Sequence, residues 1–179
     1  QPCVGTSRLW PLAFRSAQYD LISFQPHYGT TLEEDFATIS EWLELQPKAT
    51  IIIHTGWARH AELKTELADE DPAGTLTHSQ AYFEALLKRL REAYPDREFR
   101  STQAMNALQQ IQQNIDTGNA PLENIEQMYR DSIHMTIGPG RYLMHNMMRK
   151  AMGQKPVSDG FPEFDPELKT YLDGVMQQF

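Results

Sequence analysis

Two short runs of β-branched residues, with one capped amphipathic segment between them, constrain the fold more than any other feature of this chain. Residues 20–25, DLISFQ, end at Pro26, and residues 50–54, TIIIH, end at Thr55-Gly56. Apolar runs of this length, rich in Ile, suit strands buried on both faces of a sheet. Between them, Leu32, Phe36, Ile39 and Leu43 recur at helical spacing, and either Thr30/Glu33 or Thr31/Glu34 can close a capping box at the helix start. Strand, helix and strand make a βαβ unit, whose two strands are parallel and joined by a right-handed crossover.

The pattern continues downstream. A second long helix is expected from about Thr77, with Gln80 completing a capping signature, through YFEALLKRLREAY to a stop at Pro95. REFRSTQ then reads as a weaker strand. MNALQQIQQNI aligns Met105, Leu108, Ile111 and Ile115 on one face and ends at Thr117-Gly118. A last amphipathic helix places Leu143, Met147 and Ala151 on one stripe and Met144, Met148 and Met152 on its neighbour, and a Pro/Gly-rich strap follows. Such alternation predicts an α/β protein with a parallel sheet and helices on both faces, in which sites form beyond the carboxyl ends of the strands. Residues 1–155 are expected to form that domain, and residues 156–179 a tail and helix packed on it.

Composition narrows the function. The 179 residues carry a formal net charge of −8, which disfavours nucleic acid and anionic membrane surfaces, since both are bound through Lys and Arg. No apolar run approaches the ~20 residues of a membrane span. One cysteine, Cys3, makes neither an internal disulfide nor a zinc site. The compartment stays open, with a secreted or periplasmic location compatible. His27, His54 and His60 suggest a metal only if Asp, Glu or Cys completes the sphere, and no nearby set of these does, so no metal or other cofactor is expected. The acidic run ELADEDPAG reads as a solvated loop, with a lid as the alternative. His145 and the methionines around it read as core and surface. Trp57, at a strand end, can contact a ligand or fill a half-buried core position.

The stretch YRDSIHMTIGPGRYLMHNMM contains the strongest chemical signal. Three residues of separation in a turn let Asp131 accept the Nδ1 hydrogen of His134, fixing the imidazole tautomer and leaving Nε2 free to take a proton from a hydroxyl. The other reading is a capped turn with a surface histidine. Followed by a Gly-Pro-Gly turn and a helix, the segment resembles the last conserved block of the SGNH (GDSL-type) hydrolases. SAQYDLISFQPH resembles that family's third strand, and VGTSRLW its second block. The likeness runs from about Gly5 to Met152.

The resemblance implies a flavodoxin-like three-layer α/β sandwich and hydrolysis of a carboxylic ester, such as an acetyl group on a carbohydrate. It implies His134 as general base, Asp131 as its orienting carboxylate and Gly5 as a backbone oxyanion donor. Where the family carries Asn in its third block, this chain has Gln25-Pro26-His27, so either Gln25 or His27 stands in as donor. The family's nucleophile lies in G-D-S or G-N-S at the end of a first strand, and neither tripeptide occurs here. Ser7 sits where the second block belongs. The expectation is therefore a hydrolase fold whose first strand and serine lie upstream of Gln1. A hydrolase-like module that binds a glycan or a protein without catalysis is the alternative. A flavin or nucleotide binder ranks last, because no Gly-rich phosphate loop follows a first strand.

Overall fold

The computed structural model describes residues 9–71, 73, 74, 76 and 78–179. Three strands, β1 (Leu21–Phe24), β2 (Thr50–Ile53) and β3 (Phe99–Ser101), form a parallel sheet in the order β1-β2-β3. The register pairs Ile22 with Ile51 and Ile52 with Arg100. Ile51, Ile52 and Ile53 of the central strand are at most 1% exposed, so side chains on both faces of β2 are enclosed, as its unbroken apolar run requires.

The crossover helices are α2 (Leu32–Leu45) and α4 (Gln80–Ala93), which pack on one another, as two same-handed crossovers between adjacent parallel strands demand. Helices α5 (Ala104–Asp116), α6 (Pro139–Ala151) and α7 (Pro166–Gln177) pack together as the second helical layer. The result is the expected three-layer α/β arrangement. Two further helices are short, α1 (Trp10–Ser16) and α3 (Leu63–Leu67), and a 3-10 turn spans Ile125–Met128.

Of the two capping boxes open to α2, the one formed is Thr31/Glu34: Glu34 N–H donates to Thr31 Oγ1 at 3.2 Å, and Thr31 N–H to Glu34 Oε2 at 2.8 Å. Helix α4 begins later than expected. Its N-cap is Ser79, whose Oγ accepts from Tyr82 N–H at 3.1 Å, while Thr77 lies outside the described residues. The acidic run is only partly a loop: α3 ends within it at Leu67, and Glu66 is buried. The side chain of Gln46, fully enclosed, accepts from Tyr19 N–H at 2.8 Å and donates to the carbonyls of Phe14 and Ala17 at 2.6 and 2.7 Å. This one amide ties the α1–β1 connection to the end of α2, and with every bond made its burial costs little.

The strap after α6 lies on that helix. Asn146, completely buried, exchanges both hydrogen bonds with the backbone of Val157, at 3.0 and 2.9 Å. Phe161 meets Tyr142 edge-on at 5.1 Å, with Phe164 tilted beside it at 5.5 Å. His145 is exposed, while Leu143, Met144 and Met147 belong to the core. Among the described residues no helix is long and apolar enough to cross a membrane.

Candidate functional site

The site is assembled from three loops at the carboxyl edge of the sheet. After β1 the chain runs Gln25-Pro26-His27-Tyr28, with only Pro26 buried. After β2 it runs His54-Thr55-Gly56-Trp57, and Thr55 is fixed by hydrogen bonds from its N–H to Thr102 Oγ1 (3.0 Å) and from Met105 N–H to its own Oγ1 (3.1 Å). The third loop is a short antiparallel excursion in which Tyr129 pairs with Met135, and Arg130 N–H donates to the His134 carbonyl at 2.9 Å.

At the tip of that excursion, Asp131 Oδ1 accepts the backbone N–H of Ile133 at 3.1 Å and of His134 at 2.8 Å. A carboxylate at the head of such a turn satisfies backbone donors that its own geometry exposes. The same carboxylate receives His134 Nδ1, 2.9 Å from Oδ1 and 3.0 Å from Oδ2. The backbone N–H donors of His134 and then Ile133, followed by the His134 ring, hold the Asp131 carboxyl down at about 2. With Asp131 ionised, the Nδ1 atom between its oxygens carries the ring hydrogen, and Nε2 is the free lone pair. The capped-turn reading and the paired reading of Asp131 thus hold together, because one carboxylate makes both sets of bonds.

The excursion is fastened to the end of β2. Trp57 Nε1–H donates to the Ile133 carbonyl at 2.5 Å, His60 N–H to the Ser132 carbonyl at 3.1 Å, and Tyr129 Oη–H to the Ala58 carbonyl at 3.2 Å. Trp57 is half-buried. Its indole N–H is spent on this anchor, and its ring is left as a wall.

Gln25, His27, Trp57 and His134 line one open cavity of about 440 Å³. Four of the residues singled out in the sequence therefore meet, with Asp131 held by the fourth. Gly5 and Ser7 lie outside the described residues. Two further residues lining the same cavity had no sequence signal, Tyr28 and His78. His78 is 4% exposed, its ring stacks on Tyr28 with centroids 5.3 Å apart, and its enclosed Nδ1 has no hydrogen-bond partner among the described residues. Burial, reinforced by the charge of His27, pushes the His78 imidazole down.

Gly56 fits the second loop because of these neighbours. A Cβ there would stand 3.0 Å from Gln25 Nε2 and 3.4 Å from the His78 ring, so glycine lets Gln25 and His78 approach the β2 end without either giving way.

His54 is set apart from the cavity. Its Nδ1 lies 3.0 Å from Thr102 Oγ1, and burial drives its imidazole down to about 4. Among the described residues, no three His, Cys, Asp or Glu side chains come together to hold a metal ion.

No family model matches the chain, and no curated protein matches it. Its fold is similar to the solved structure of a DUF4886 family protein from Bacteroides uniformis, with a TM-score of 0.55 and 13% identity over 93% of this chain. The chain spans 64% of the length of that protein. At such identity the likeness is one of fold alone.

Proposed function

We propose that this site belongs to a serine hydrolase that cleaves a carboxylic ester, with an acetyl ester on a carbohydrate as the substrate class. The observation that carries this reading is the Asp131–His134 pair, its Nδ1 held by both carboxylate oxygens and its imidazole facing a cavity at the carboxyl edge of a parallel sheet. His134 Nε2 takes the proton of an attacking serine hydroxyl as the oxygen bonds to the ester carbonyl carbon. The developing oxyanion takes hydrogen bonds from the Gln25 amide or the His27 ring. His134 then returns the proton to the departing alcohol, and water repeats the sequence on the acyl-enzyme. Asp131 stays ionised throughout and holds the imidazolium.

Among the described residues no hydroxyl is hydrogen-bonded to His134, so the reading takes the attacking oxygen from outside them, as a serine upstream of Gln1 or Ser7. That same feature, with the exposed Tyr28 ring on the cavity, favours a second reading in which the module binds a glycan without cleaving it.

The test is hydrolysis of an aryl acetate and of an acetylated oligosaccharide by the longest product of the gene. His134→Ala is expected to lower kcat/KM by about a thousandfold or more with the fold retained. A loss below about tenfold contradicts the role of His134. Binding of the oligosaccharide without turnover supports the second reading.

A further inference from the structure

A second cavity lies on the far edge of the sheet, away from His134. Its volume is about 690 Å³, and it opens beside β3 along the length of α4, between that helix, the last turns of α6 and the first turn of α5. That volume suits a small organic molecule. Among the described residues its wall carries Arg91 from α4, Arg100 from β3 and Lys150 from α6, three cations against one acidic side chain, Glu84, with Phe179, the last residue of the sequence, also on the wall.

All three cations are held in place, and two of them have no carboxylate partner among the described residues. Arg91 Nη2 donates to the Phe99 carbonyl at 3.2 Å, Arg100 Nη1 to the Ala151 carbonyl at 3.0 Å, and Lys150 Nζ to the Met176 carbonyl. Among the described residues, Arg91 and Lys150 have no carboxylate within ion-pair distance, and only Arg100 has one, Glu98 at 2.8 Å. A helix C-terminus attracts cations by itself, which accounts for Arg91 and Lys150 separately at the ends of α4 and α6. It does not account for their converging with Arg100 on one hollow. Each side chain spends one donor on a carbonyl and keeps others, so part of the entropy of ordering it has already been met.

Other groups complete the wall. Gln103 sits at the start of α5 in the left-handed region, φ 53°, and Asn106 of the first turn also faces the cavity. Ser101 also lines it, and Phe83, Leu87 and Met147 add apolar surface. Cations, amides, a hydroxyl and hydrocarbon lining one cavity match a molecule with a charged head and an apolar body. We propose that this cavity binds a small organic phosphate ester, with the phosphate against Arg91, Arg100 and Lys150.

The experiment titrates phenyl phosphate into the protein at low ionic strength, followed by phosphorus NMR, with inorganic phosphate as competitor. Saturable binding is expected, weakening as salt is added. Phenyl phosphate is expected to bind at least about threefold more tightly than inorganic phosphate if the apolar wall takes part. Arg91→Gln with Lys150→Gln should weaken binding by about tenfold or more. Asn106→Glu is the variant that keeps the fold secure, since an acidic side chain in the first helical turn favours α5 while placing negative charge in the cavity. It should abolish binding. His134→Ala should leave binding unchanged, which separates this site from the esterase reading. Absence of saturation at millimolar ligand, or equal affinity in Asn106→Glu, overturns the proposal.

Discussion

His134 and His54 are both imidazoles near the carboxyl edge of the sheet, and their surroundings give them opposite tasks. His134 stands exposed against an ionised carboxylate, free to accept a proton on Nε2. His54 is half-buried beside Thr102 with no carboxylate partner among the described residues, and loss of solvent lowers it to about 4. In the unfolded chain His54 binds its proton near the ordinary ~6.5, so between that value and about 4 the unfolded state carries more protons and stability falls as pH falls. The loss is complete below about 4 and amounts to roughly 3 kcal/mol at most. His78, also lowered by burial, acts in the same direction. Chemical denaturation at pH 7 and pH 4.5 is expected to show this decline, and His54→Asn, which can keep the bond to Thr102, should flatten it. An unchanged slope in that variant would mean that other groups carry the acid sensitivity.

At the scale of elements, the Asp131–His134 turn depends on how α6 starts. Gly140 presses its backbone onto the 3-10 turn and the excursion. A Cβ there would stand 2.5 Å from the Met128 carbonyl oxygen and 2.9 Å from Met135 Cβ. Both neighbours are fixed, since Thr136 N–H donates to the Met128 carbonyl at 2.9 Å and Gly140 N–H to Thr136 Oγ1 at 2.8 Å. Gly140→Ala is therefore expected to cost about 1–3 kcal/mol by overpacking and to lower Tm. It should also shift the backbone amide resonances of residues 131–136. A melting temperature within a degree of the parent would contradict this packing.

The same elements show what the sequence could and could not reveal. The β2 run and the α2 cap are local signals: the run is legible because burial on both faces needs no tertiary information, and the cap is narrowed to two overlapping boxes, of which Thr31/Glu34 forms. The start of α4 was misplaced because Thr77-x-x-Gln80 mimics a capping box, whereas the true cap, Ser79, has Tyr82 at the third helical position and forms none. Helix α1 escaped notice although Pro11 stands in its first turn, because its seven residues bury no side chain that would impose a period. His78 and Tyr28 became cavity residues only through the packing of loops distant in sequence, which no spacing encodes. The turn of Asp131 and His134 was legible because three residues suffice to close it.

Across the whole molecule, three parallel strands bring the loops after β1 and β2 and the 129–135 excursion to one edge, and place the basic cavity at the other side of β3. One edge of β1 pairs with no strand among the described residues. The esterase reading requires a serine oxygen to reach His134 Nε2 at the end of the sheet where β1 terminates. The most direct measurement is reaction of the protein, as this chain and as the longest product of its gene, with a serine-reactive fluorophosphonate, followed by mass spectrometry of the modified peptide. Labelling of a serine upstream of Gln1, or of Ser7, that disappears in His134→Ala is the predicted result. Absence of labelling in both forms, with the protein folded, would contradict the hydrolase reading and leave the glycan-binding module in its place.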